Sequence, residues 1–145
     1  MADLTDYARL VTRDHGLSVV STLRADQTIQ ASVVNTGVLD HPVDGRPVVG
    51  FTTRGGTRKL ANLRARPRLA VTVRAGWEWV TVEGTAELIG PDDPAEGVPG
   101  LRLLLREVFS SAGGTHDDWA TYDRVMAEER RAAVLVTPAR VYSNG

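Results

Sequence analysis

The stretch Arg68–Ile89, RLAVTVRAGWEWVTVEGTAELI, constrains the fold of this chain more than any other. Its β-branched and aromatic residues mark two long strands, about Arg68–Arg74 and Trp77–Ile89, turning at Ala75-Gly76. On the second strand Trp77 and Trp79 share one face, while Val80 and Val82 share the other. A strand with one solvated face alternates more cleanly than this. Something beyond the core of a single domain must therefore cover the tryptophan face, either a second subunit or a flat ligand.

The rest of the chain supplies partners for this hairpin. Asp3–Asp14 reads as an amphipathic helix with Leu4, Tyr7, Ala8 and Val11 on one face, ended by Gly16. Leu17–Leu23 and Thr28–Leu39 read as strands joined by the polar turn Arg24–Gln27, and Asp40–Pro47 as a loop. Val48–Thr53 is a third strand, followed by a short helix, Thr57–Arg66, with Leu60 and Leu63 inward. Beyond the long hairpin, Pro91–Gly100 is loop-like, and Gly113-Gly114 separates helices Leu101–Ser111 and Asp118–Arg130. Ala132–Thr137 is a last strand, running up to Pro138. Strands joined by hairpins pair antiparallel, and six of them in one small domain form a closed or split barrel. The predicted fold is mainly β with α: a six-stranded antiparallel barrel with flanking helices, a single domain over residues 1–145.

Composition removes several function classes. There is no cysteine, which excludes disulfides, thiolate metal sites and a cysteine nucleophile. His15, His41 and His116 lie far apart in predicted loops without ligand spacing, so no metal site is expected. No Gly-x-Ser-x-Gly elbow, Gly-x-Gly-x-x-Gly fingerprint or Gly-Lys-Ser/Thr pair occurs. Glu83 is better read as an arginine partner than as a base. A formal net charge of −1 argues against nucleic acid and anionic membrane as partners. The amphipathic, acidic N-terminus is unlike a signal peptide, so a cytoplasmic protein is the expectation.

Positive charge is instead local. From Gly45 to Trp77 there is no acidic residue, and Phe51–Arg68 reads FTTRGGTRKLANLRARPR. Thr57 suits the N-cap of the helix that follows Gly55-Gly56, and Arg58 and Lys59 fall in its first turn. Free backbone N–H groups, a helix N-terminus and two cations make an anion site, usually occupied by phosphate. Every basic residue except Lys59 is arginine, among 17 in all, which makes a lone lysine beside the Gly-Gly turn notable. With no acid, base or nucleophile constellation in the chain, a cofactor would have to carry any reactive chemistry.

The order of elements resembles that of the split β-barrel flavin and deazaflavin reductases, the superfamily that includes pyridoxamine-phosphate oxidase. The closest resemblance is to the actinobacterial branch that uses coenzyme F420. TTRGGTRKLANLRARPR is similar to that branch's phosphate-binding strand, turn and helix, GWEWVTVEGTAEL to its long strand, and HDDWATYDRVMAEERRAAVLVTPARVY to its C-terminal helix and strand. The resemblance implies that Arg58 and Lys59 bind a cofactor phosphate, with Thr53, Thr57 and the backbone of Gly56. It implies that Ser32, Val33 and Val34 line the cofactor ring with backbone groups, with Thr52 beside it. Trp77 and Trp79 would come from the partner subunit of a homodimer holding its cofactor at the interface. The activity implied is hydride transfer between coenzyme F420 and a conjugated small molecule. FMN is the alternative cofactor, and a non-catalytic flavin- or haem-type binding protein the alternative role. The first hairpin turn, Ala25-Asp26-Gln27-Thr28, departs from the Gly-x-Pro frequent in that family.

Overall fold

A computed structural model describes residues 1–95, 98 and 100–145. Seven antiparallel strands form one sheet in the order β2-β1-β5-β6-β7-β4-β3. They are β1 Leu17–Leu23, β2 Ile29–Asn35, β3 Gly37–Asp40, β4 Pro47–Thr53, β5 Arg68–Ala75, β6 Glu78–Ile89 and β7 Ala132–Ser143. Four helices accompany them: α1 Leu4–Val11, α2 Arg58–Ala65, α3 Leu101–Ser111 and α4 Trp119–Glu128. Of the predicted loop Pro91–Gly100, Glu96, Gly97 and Pro99 lie outside the described residues.

The expected strand Thr28–Leu39 is two strands, which raises the count from six to seven. The break falls at Thr36, whose N–H donates to the Gly16 carbonyl at 2.8 Å. Its buried hydroxyl bonds Tyr7 Oη at 2.6 Å and Ser18 Oγ at 2.7 Å. Next to it, Gly37 lies against α3 so closely that a Cβ would stand 2.2 Å from the Ser111 carbonyl oxygen. The chain turns a corner there, so β2 pairs with β1 while β3 pairs with β4. These two strands, consecutive in sequence, are the opposite edges of the sheet. That seam is what leaves the barrel split.

The last strand also runs further than expected, through Pro138 to Ser143. Proline removes a ladder donor, and the sheet absorbs this with an irregularity between Glu83 and Gly84 on β6, where Gly84 pairs with Pro138. A Cβ on Gly84 would lie 2.2 Å from the Thr137 carbonyl oxygen, so only glycine fits. Helix α1 is shorter than expected. An Asp3/Asp6 capping box opens it, and Thr12–Asp14 continue as a 3-10 turn up to His15 and Gly16, both at positive φ.

The barrel interior is filled by Tyr7, Val20, Val49, Phe51, Leu63, Val71, Val80, Val82 and Val134. A smaller cluster beneath α3 contains Leu39, Val48, Leu104, Leu105, Val108 and Leu135. As the hairpin pattern predicts, Val80 and Val82 point to the core. Trp77 does not join β6: it sits in the turn, 94% exposed. Trp79 is half-buried, edge-on to Tyr142 at 6.1 Å between ring centroids.

Candidate functional site

The end of β4, the turn that follows it and the start of α2 carry the residues of the expected anion site. Gly56, at φ +81, has open space where a Cβ would stand. Thr57 caps α2 as expected, accepting from the Leu60 N–H at 3.3 Å, and its hydroxyl lies 3.1 Å from that of Thr53. Helix α2 packs Leu60 and Leu63 into the interior, and this rotation draws Lys59 inward to 8% exposure. Among the described residues no carboxylate forms an ion pair with Lys59. Burial is the larger cause and the Arg131 guanidinium the smaller cause of an ammonium pKa held below its ordinary value.

Arg131 is the cation the sequence reading missed. It follows α4 and precedes the fully buried run Ala132–Val136. Its Nε donates to Glu129 Oε1 at 2.9 Å, and its Nη1 reaches Thr52 Oγ1 at 3.4 Å. Glu129 also accepts from Arg54 at 2.9 Å, and these contacts hold its carboxyl below the usual range. The Gly-Gly turn is docked onto this same corner: Gly55 N–H donates to the Glu129 carbonyl at 3.0 Å. A Cβ on Gly55 would meet the Arg130 carbonyl oxygen at 2.8 Å, so the docking requires glycine.

Beside this corner lies a cavity of about 290 Å³. Val34 and Asn35 come to it from β2, Thr52 from β4, Phe109 from α3, Tyr122 and Met126 from α4, with Arg131 at its edge. Phe109 and Tyr122 pack with ring centroids 5.0 Å apart, continuing a cluster with His116 and Trp119. Sequence pattern marked α3 and α4 only as helices and gave no reason to place Phe109 or Tyr122 at a site. On β2, Ser32 Oγ is buried without a hydrogen-bond partner. An orphaned hydroxyl in a buried position is a group that a ligand can satisfy.

The expected residues are thus not all together. Ser32, Val34, Thr52, Thr53, Gly56, Thr57 and Lys59 lie on β2, β4 and the start of α2. Arg58 is exposed and lines a separate cavity of about 330 Å³ with Arg24, Asp26, Asn62 and Arg66. Val33 points to the other face of β2, opposite Val19, and is 62% exposed. Trp77 and Trp79 do not line the cavity beside Thr52 and Arg131. Among the described residues no cluster of three His, Cys, Asp or Glu could hold a metal, and no helix is long and apolar enough to cross a membrane.

A split antiparallel sheet thus sets a basic Gly-Gly turn beside a cleft lined by aliphatic, aromatic and polar side chains. The chain belongs to the pyridoxamine 5'-phosphate oxidase family, whose model matches residues 4–145. Its fold is similar to that of a conserved hypothetical protein of Mycobacterium tuberculosis, with 20% identity, 99% of this chain and 84% of that one covered, and a TM-score of 0.68. It is similar to that of an F420 reductase, with 18% identity, 92% and 94% covered, and a TM-score of 0.63. It is also similar to that of an FMN-binding, pyridoxamine 5'-phosphate oxidase-related protein of Nostoc punctiforme, with 12% identity, 99% and 84% covered, and a TM-score of 0.67.

Proposed function

We propose that this chain is a coenzyme F420-dependent oxidoreductase, passing a hydride from the reduced deazaflavin to a conjugated small-molecule acceptor. One observation carries the reading: Lys59 is a buried side chain with a partly desolvated ammonium, to which the described residues bring a second cation and no carboxylate. A partly desolvated charge beside a like charge is costly, and a bound phosphate would relieve it. Thr53, Thr57, the Gly56 backbone and Lys59 would hold that phosphate, with Arg58 approaching from the solvent side. Ser32 and Val34 would line the ring, Val33 only through its backbone, with Thr52 beside it. The unpartnered Ser32 hydroxyl fits a polar ring edge.

The protein would act as a homodimer, which supports two otherwise unexplained features. Leu17, Val19, Ile29 and Val33 present exposed apolar side chains on the outer face of β1 and β2, and a second copy would cover them. The same packing would bring Trp77 and Trp79 of the partner to the cofactor cleft, since their own chain does not use them there. The ring supplies the hydride chemistry, while the chain's residues bind, orient and exclude water.

FMN is the second reading, because the same anion site suits its phosphate and an FMN-binding protein shares the fold. Absorbance titration of the purified protein with coenzyme F420 and with FMN decides between them. Preferential F420 binding, with turnover of a quinone, enone or tetrapyrrole acceptor, is the expected result. Tight FMN binding without F420 binding overturns the deazaflavin assignment, and F420 binding without turnover favours a storage protein.

A further inference from the structure

Among the described residues lining the cavity beside Thr52, Arg131 is the only one that carries a charge at neutral pH. Two other polar donors there are already engaged. Tyr122 Oη donates to the Leu105 carbonyl at 3.0 Å, and burial pushes its pKa up, so it stays a neutral phenol. Asn35 Nδ2 donates to the His15 carbonyl at 2.7 Å. Arg131, by contrast, spends its Nε on Glu129 and makes only one long bond, 3.4 Å, from Nη1 to Thr52. Donors therefore remain for a ligand. Glu129 divides its charge between Arg54 and Arg131, so this corner holds a surplus of positive charge.

We propose that Arg131 is the group that stabilises the cofactor in its reduced, anionic form. This rests on the reading above that Val34 and Thr52, which line this cavity, also line the cofactor ring. When the oxidised ring takes a hydride from an external hydride donor, two electrons and one proton arrive together and the ring gains a negative charge. The same hydride later leaves to the acceptor, which takes its second proton from solvent. A cation fixed at the cavity edge binds the charged ring more tightly than the neutral one. By the thermodynamic cycle, that difference in affinity raises the cofactor's reduction potential. Lys59, directed to the phosphate, meets the same charge in both redox states and contributes affinity without moving the potential.

The test is the midpoint potential and the two affinities of protein loaded with coenzyme F420, or with FMN where F420 does not bind. Arg131→Gln is expected to lose about tenfold more affinity for the reduced than for the oxidised cofactor. For a two-electron couple this is a potential about 30 mV more negative. Arg131→Lys restores most of the shift. Lys59→Gln weakens both redox forms equally and leaves the potential where it was. Circular dichroism confirms that each variant is folded. Equal losses for both forms in Arg131→Gln would make Arg131 a second phosphate anchor and overturn the proposal, as would unchanged values for both. Failure of the wild-type protein to bind either cofactor overturns the cofactor reading itself, a result distinct from binding with an unmoved potential.

Discussion

Replacing Lys59 by Met should make the cofactor-free protein more stable and the cofactor-loaded protein weaker in binding. Met keeps most of the apolar stem of Lys59 between α2 and the sheet and removes the ammonium. In the free protein that ammonium is partly desolvated, near Arg131 and without a counterion among the described residues. Its lowered pKa carries the sign: folding favours the neutral amine, so the charged form opposes folding at all pH values below the folded-state pKa. The penalty fades as pH rises through that value. Removing the charge should stabilise the free protein by about 1 kcal/mol, which for a domain of this size is a melting temperature roughly 2–4 °C higher. Loss of a charge-assisted phosphate contact should cost about 1.5–3 kcal/mol of affinity, roughly ten- to hundredfold. Denaturation of the free protein and cofactor titration read the two effects separately. A destabilised free protein with unchanged cofactor affinity would make Lys59 a structural residue and refute the reasoning.

Other perturbations address the supporting structure. Gly55→Ala should destabilise the protein by about 1–3 kcal/mol in denaturant unfolding, because its Cβ would displace the turn from the Arg130 carbonyl. If the proposed homodimer forms, Val33→Glu should convert it to monomers in light scattering while preserving the far-ultraviolet spectrum, since the side chain faces outward from β2. Asp123 accepts two hydrogen bonds from Arg106, at 2.9 and 2.5 Å, which hold its carboxyl below the usual range. That contribution is present above the ordinary carboxylate pKa and is lost as pH falls through the folded-state value. Urea midpoints should therefore fall less between about pH 7 and about pH 3 in Asp123→Asn than in the wild type.

Much of the barrel was legible because hairpin strands and capped helices write themselves into local pattern. The Arg68–Ile89 hairpin, the Thr57 cap and the inward Leu60 and Leu63 all follow from period and propensity. The break at Thr36 did not, because ASVVNTGVL carries a continuous β pattern. The corner is made by Tyr7 and Ser18, which are distant in sequence, and by the close approach of Gly37 to α3. Proline ended the last predicted strand early, because its penalty is local whereas the irregularity opposite Gly84 lies on another strand.

The site divides in the same way. Gly55-Gly56 followed by a capped helix is a local signal, and it located Lys59. Adjacency did not show that Arg58 and Lys59 part company, one to solvent and one inward, because helical rotation separates neighbours by about 100°. Arg131 was readable only as one of several arginines near a helix end. A cation entering a run of buried strand residues, Ala132–Val136, was the available sign. Its meaning depends on Thr52 and Glu129, which only the folded chain brings to it.

The most direct measurement is a crystal structure of the protein with coenzyme F420. The account predicts a homodimer with the cofactor phosphate within hydrogen-bonding distance of Lys59 Nζ and the Thr57 hydroxyl. The ring should lie against Ser32–Val34, with Arg131 at its edge and the tryptophan turn of the second copy beside it. Phosphate bound elsewhere, or a cleft left empty at saturating cofactor, would contradict it.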